Sequence, residues 1–187
     1  MQCPKCHNPE LKELELAEGL ISHHCDQCGG DWLSWEDYQA WQSAQEKPST
    51  INVALKLKTD FKPSETDSKA ALSPEARRYM SRIKIPTSPP FYLERCPESL
   101  GFWFDRQEWQ AIEELGLHLS LEHLFTSEWQ QKVREQQHSV SERQALIQKL
   151  GNELAEEVFT LGEKLADSEN GDFAVAYLAR QVTDIPD

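Results

Sequence analysis

The sequence predicts an α+β fold: two small β-hairpin units, each followed by a helix, and then an α-helical C-terminal region. Three observations carry this reading. Two C-x-x-C pairs, Cys3-Pro4-Lys5-Cys6 and Cys25-Asp26-Gln27-Cys28, stand eighteen residues apart. A degenerate copy of the pattern, with nineteen residues instead of eighteen between its halves, runs from Ser73 to Glu108. Beyond Gly116 the apolar residues recur at helical rather than alternating intervals. The expected organisation is therefore hairpin plus helix over 1–47, a linker over 48–72, a second hairpin plus helix over 73–116, and acidic helices over 117–187.

The two cysteine pairs have the spacing of a tetrahedral metal site, each pair bending over one edge of an ion while the intervening hairpin brings the pairs together. Four thiolates at about 2.3 Å close the shell around Zn²⁺ and leave no position for water or substrate. The expectation is one structural zinc per chain, held by Cys3, Cys6, Cys25 and Cys28. Iron also suits an S₄ set. His7, His23 and His24 lie beside the cysteines as alternative ligands, although four spaced thiolates already complete the shell. A thioredoxin-like reading needs a βαβ context, and neither pair has one. Two disulfides would need an oxidising compartment. The chain opens Met1-Gln2-Cys3 without the succession of basic, apolar and small residues typical of a secretory signal, so a reducing, cytoplasmic setting is expected.

Within the first unit, Leu11, Leu14 and Leu16 precede Glu18-Gly19, and Leu20 and Ile21 follow it, which places strands near 11–16 and 20–24 around a turn. Gly29-Gly30 permits the positive φ of a metal knuckle. Ser34-Trp35-Glu36-Asp37 reads as a capping box opening a helix near 35–46, with Trp35, Tyr38 and Trp41 on the face packed against the hairpin. The succession C-P-x-C, eighteen residues, C-x-x-C-G-G-x-W-L and an acidic helix start resembles the TFIIB-type zinc-ribbon family. That resemblance implies zinc ligation by Cys3, Cys6, Cys25 and Cys28. Ser34 stands where members commonly carry Asp and keeps the capping ability. Ribbons serve transcription, translation and plain protein contact, so the family name alone does not fix a function.

In the linker, Ile51, Val53, Leu55 and Leu57 alternate with polar residues, the pattern of an edge strand. The repeat follows. Ser73-Pro74-Glu75-Ala76 aligns with Cys3-Pro4-Lys5-Cys6, and Cys96-Pro97-Glu98-Ser99-Leu100-Gly101 with Cys25-Asp26-Gln27-Cys28-Gly29-Gly30. Phe102-Trp103-Phe104-Asp105 then matches Asp31-Trp32-Leu33-Ser34, and Asp105-x-x-Glu108 repeats the cap. Only Cys96 survives among the four ligand positions, so this is expected to be a metal-free ribbon. The candidate replacement for the ion is apolar, from Tyr79, Met80, Ile83, Ile85, Phe91, Tyr92, Leu93, Phe102, Trp103 and Phe104. Arg77, Arg78, Arg82 and Lys84 are assigned to its first strand, with Tyr79 among them. Together with Trp103 and Phe91 they form the expected partner-binding surface, either for phosphate and base stacking or paired with the acidic C-terminal region of the same chain.

Further on, Leu117, Leu119, Leu121, Leu124 and Phe125 form an apolar joint. A helix starts at Thr126-Ser127 with Trp129, Val133, Val140, Ile147 and Leu150 on one stripe. Gly151-Asn152 breaks it, Leu154, Val158, Leu161 and Leu165 mark the next helix, and Phe173, Ala176 and Tyr177 a short last one.

Charge is uneven: −6 over residues 1–47, +4 over 48–95 and −11 over 96–187, for −13 in total. Such an acidic chain is repelled by nucleic-acid backbones and suits basic protein surfaces. No run reaches the length of a membrane span. No nucleophile–base set, Walker loop or dinucleotide fingerprint is present. The expected role is a non-enzymatic protein–protein interaction or assembly factor, with a nucleic-acid-binding or transcription-machinery factor using residues 77–84 as the alternative.

Overall fold

The computed structural model describes residues 1–8, 10–46 and 61–183. They fall into two compact units, residues 1–134 and 135–187. In the first, β1 (Lys12–Ala17) and β2 (Leu20–His24) form the expected antiparallel hairpin, running from Lys12 opposite His24 to Ala17 opposite Leu20. β3 (Asp31–Leu33) pairs with β2, and α1 (Trp35–Ser43) follows. The second hairpin repeats the plan as β4 (Ser81–Ile85), β5 (Phe91–Arg95), β6 (Phe102–Phe104) and α2 (Glu108–Glu114). All six strands join one antiparallel sheet in the order β1-β2-β3-β6-β5-β4.

The seam of that sheet is the β3–β6 pairing, in which Asp31 faces Phe104, Trp32 faces Trp103 and Leu33 faces Phe102. The contacts on either side are reciprocal. A Cβ on Gly30 would lie 2.3 Å from Trp103 Cζ2, and one on Gly101 would lie 2.4 Å from Trp32 Cζ2. Neither space admits a methyl group, so each indole packs on the other unit's glycine backbone. The loops at the hairpin ends match bond for bond. Cys3 N donates to Asn8 O at 2.9 Å as Ser73 N does to Arg78 O at 2.7 Å, and Cys25 N to Gly30 O at 2.8 Å as Cys96 N does to Gly101 O at 2.8 Å. Positive φ recurs at His7 and Arg77, and at Gly29 and Leu100.

The sheet's apolar face and the helices enclose one core that includes Leu20, Leu33, Ile85, Leu93, Phe102 and Trp109. The first cap forms as expected, Ser34 Oγ accepting from Asp37 N at 3.1 Å. The second forms only in part: Glu108 Oε2 accepts from Asp105 N at 2.7 Å, but the Asp105 carboxylate accepts from Trp103 and Thr66 instead, and α2 starts after Gln107 with no side-chain cap. Of the aromatic stripe on α1, Tyr38 is fully buried, while Trp35 and Trp41 are partly so. Tyr38 closes the core by donating its hydroxyl to His118 O and accepting from Leu121 N, each at 3.0 Å. This ties down a 3₁₀ turn (His118–Ser120) and α3 (Leu121–Leu124). Leu117, Leu121 and Leu124 are buried there, and so are Trp129 and Val133 from the start of α4 (Ser127–Leu150). The expected apolar joint thus belongs to the core of the sheet unit.

Several expectations are corrected. Phe91 and Trp103 were assigned to a partner surface, but they are 0% and 1% exposed because they face the core and the seam. Tyr79 was assigned to the mini-core and is instead 72% exposed. The strand assigned to 77–84 starts only at Ser81, since Arg77 takes the positive-φ position of the loop that precedes it. Residues 61–72, read as linker, are folded on the sheet: Phe61 meets Phe91 edge to face at 5.0 Å, and Leu72 bridges Tyr79. The strand expected within 51–58 lies outside the described residues.

Residues 135–187 carry the rest of α4, then α5 (Asn152–Ala166) and α6 (Gly171–Thr183), with Gly151 at φ +79° breaking the chain between α4 and α5 as expected. Within this unit the Arg143 guanidinium sits 3.8 Å from the Phe159 ring centroid. Among the described residues no helix is long and apolar enough to cross a membrane.

Replacing Gly30 or Gly101 with Ala is expected to destabilise the zinc-saturated protein by about 1–3 kcal/mol through overpacking against the indoles. Chemical denaturation of each variant measures it, with exposed Gly162→Ala as the comparison, a position with nothing within 4 Å and no positive φ.

Candidate metal centre

The β1–β2 hairpin folds the two cysteine loops onto each other. Cys3 Sγ lies 3.5 Å from Cys28 Sγ, and Cys6 Sγ lies 3.4 Å from Cys25 Sγ. All four sulfurs are within 4.8 Å of one another, and no disulfide joins them. A tetrahedral ion with bonds of about 2.3 Å holds its sulfurs about 3.8 Å apart, so the cluster fits one zinc ion closely. Asn8 Nδ2 points at Cys25 Sγ from 3.8 Å, a donor that steadies a thiolate ligand. Among the thiols, the Cys3 pKa is pushed down to about 5, first by its hydrogen bond with Cys28, whose own pKa is driven up by the same contact. Ligation needs deprotonated sulfur, so metal and protons compete for this cluster. Of the neighbouring histidines, His24 is engaged elsewhere, its Nδ1 3.0 Å from Asp31 Oδ1.

Between the first two ligands stands Lys5, whose ammonium is buried. It donates to Thr66 O at 3.3 Å, Lys69 O at 2.9 Å and Glu94 Oε1 at 2.9 Å, and lies 3.9 Å from Asp105 Oδ2. Arg82 reaches Glu94 Oε1 at 3.0 Å, donates to Ser68 O at 3.1 Å and to Asp67 O, and covers the Tyr92 ring at 4.4 Å. Glu94 is pushed up to about 7 by burial, with Lys5 pulling in the opposite direction. The knuckle that carries Cys3 and Cys6 is therefore pinned to the second hairpin by a buried ion pair. Sequence reading missed this set, because Lys5 looked like a spacer and Glu94 like one polar residue in a strand. Neither residue carries a local signal, since Glu94 stands at the end of the stretch Phe91-Tyr92-Leu93 and is followed by Arg95.

The corresponding loops of the second hairpin hold Ser73, Ala76, Cys96 and Ser99. Ser73 and Cys96 are fully buried, Ser73 Oγ accepts from Ala76 N at 3.2 Å, and Cys96 Sγ accepts from Ser99 N at 3.4 Å. Burial raises the Cys96 thiol, but hydrogen bonds from Ser73 and Ser99 outweigh it and lower the pKa overall. Met80 and Ala71 belong to the same buried cluster as Cys96. Of the four cations assigned to this hairpin, Arg78 pairs with Glu98 at 2.9 Å and Arg82 with Glu94, so these two find their acids on the same hairpin rather than in the C-terminal region. Arg77 and Lys84 are exposed.

These loops and strands bring together a Cys₄ cluster of the zinc-ribbon class, able to hold one zinc ion. Residues 2–44 match the family model described as "Transcription factor zinc-finger", the TFIIB-type zinc ribbon, and the match ends before the second hairpin. No curated protein and no solved structure matches the chain.

Cys25→Ser is expected to lower zinc from one equivalent to near zero and to unfold the 1–44 unit, measured by elemental analysis and near-UV circular dichroism. The triple variant Ser73→Cys, Ala76→Cys, Ser99→Cys, which completes four sulfurs with Cys96, is expected to bind a second zinc; a content unchanged at one would show that the two sets of loops differ in geometry.

Proposed function

We propose that the chain is a non-enzymatic, cytoplasmic interaction or assembly factor, in which the zinc site is structural and the working surfaces contact another protein. The observation that carries this reading is the apolar surface of α5 and α6. Leu154, Val158 and Leu161 are 40–48% exposed, and Phe173 and Val182 are 71% and 70% exposed. Residues 135–187 carry 11 acidic and 4 basic residues, so this apolar surface is set in negative charge. A partner offering an apolar patch rimmed by Lys and Arg complements it. The absence of an open ligand position in a Cys₄ shell supports a structural rather than catalytic metal.

The alternative, a nucleic-acid-binding or transcription-machinery factor, is favoured by exposed Tyr79 between Arg77 and Lys84. Burial of Trp103 and engagement of Arg82 with Glu94 leave that patch smaller than expected from the sequence.

The test is affinity capture from native cells with and without nuclease, using the wild type, Phe173→Asp with Val182→Asp, and Arg77→Ala with Lys84→Ala. A stoichiometric protein that survives nuclease and is lost from the α6 variant is the expected result. Recovery abolished by nuclease and by the basic-patch variant would replace this reading with the alternative.

A further inference from the structure

A second group of ligating side chains lies away from the cysteines. Asp67, Asp105 and Glu108 present carboxylate oxygens within 4.8 Å of one another, and the residues are 6%, 4% and 1% exposed. Each carboxylate is aimed by a donor outside the group or by the backbone. Tyr92 N donates to Asp67 Oδ1 at 2.8 Å, Trp103 Nε1 to Asp105 Oδ1 at 2.7 Å, Thr66 Oγ1 to Asp105 Oδ2 at 3.2 Å, and Asp105 N to Glu108 Oε2 at 2.7 Å. Such fixing of ligand orientation by outer donors is characteristic of built metal sites.

Two further observations point to a missing positive charge. Glu108 Oε1 is buried and no donor from outside the cluster reaches it; the only group against this carboxyl on that side is the Asp67 carboxyl, another acceptor unless a proton or a cation lies between them. In addition, the buried network contains four carboxyls, Asp67, Glu94, Asp105 and Glu108, against two cations, Lys5 and Arg82. Buried charge must be balanced. With all four carboxyls ionised the network carries two negative charges in excess, which protons neutralise in the absence of metal and one divalent ion would neutralise in their place.

We propose that Asp67, Asp105 and Glu108 form a second, all-oxygen site for a hard divalent cation of the Mn²⁺, Mg²⁺ or Ca²⁺ class, distinct from the thiolate centre. The spacing fits: an ion bonded at roughly 2.1–2.4 Å spans oxygens up to about 4.2–4.8 Å apart. Oxygen donors select hard ions, whereas the four thiolates select zinc, so the two sites do not compete for one metal. Burial drives Glu108 well above the ordinary carboxylate range and raises Asp67. Without a cation the cluster therefore has to hold protons, and a cation releases them. Bound there, the ion fastens the 64–69 segment to β6 and the start of α2.

The experiment uses the full chain loaded with zinc, titrated with Mn²⁺ at pH 7.5 without chelator, with free Mn²⁺ read by electron paramagnetic resonance. The expected result is one Mn²⁺ per chain with zinc content unchanged. Glu108→Gln, which keeps the shape and an acceptor for Asp105 N, and Asp67→Asn as a second variant are expected to weaken Mn²⁺ at least about tenfold; near-UV circular dichroism checks the fold of each. No uptake up to millimolar Mn²⁺ would overturn the site and assign the cluster to a proton shared between Glu108 and Asp67. Equal uptake by wild type and both variants would overturn it as well, by placing the ion elsewhere on the acidic surface.

Discussion

The structure of the first 134 residues depends on one pairing, β3 against β6 with Trp32 opposite Trp103. A hairpin-and-helix unit of about forty residues has too little interior to be stable without a metal or a neighbour. The seam supplies the neighbour, joining two three-stranded pieces into one sheet with one shared core. Each indole requires a glycine across from it, so the sequence constraint runs in both directions: Gly30 serves Trp103, and Gly101 serves Trp32. The symmetry is broken where chemistry differs. Trp103 Nε1 has Asp105 as acceptor, whereas Trp32 Nε1 has no partner, because Ser34 stands at the matching position.

The asymmetry extends to how the two sets of loops are held. One has four thiolates; the other has a cysteine, two serines and apolar packing. Lys5 couples them. Its backbone lies between two zinc ligands, and its ammonium ends among acceptors from the 64–69 segment and β5. Removing one partner of such a buried pair strands the other charge, at a cost of about 3–5 kcal/mol. The position of the metal loop and the folding of the second hairpin are consequently not independent, although they lie some ninety residues apart in sequence.

Much of this was legible in the sequence. The cysteine spacing located the metal centre because thiolate geometry dictates it, and the first hairpin, its helix cap and the later helix break followed from Gly19, Ser34 and Gly151, whose local chemistry is decisive; Asp105, read as a second cap, gives its carboxylate to Trp103 and Thr66 instead. What could not be read was direction. Phe91 and Trp103 were dense aromatics in a short segment, and nothing local distinguishes an aromatic that lines a seam from one that greets a partner. Residues 61–72 looked like linker from their polarity; Phe61 and Asp67 are ordered by contacts to β5 that have no local signature. The carboxylate group was hidden for the same reason, since Asp67, Glu94, Asp105 and Glu108 meet only in three dimensions, and Glu108 had a sufficient local role as a cap.

Carrying both hairpins on one chain has a kinetic meaning. Two separate ribbons that paired through this seam would have to find each other at cellular concentration, and each would depend on its own ion. Here β6 is tethered near β3, at an effective concentration set by the intervening chain rather than by expression level. Each hairpin thereby finds its stabilising neighbour within its own chain, and the half that carries the four cysteines and the half that carries one assemble as a single sheet.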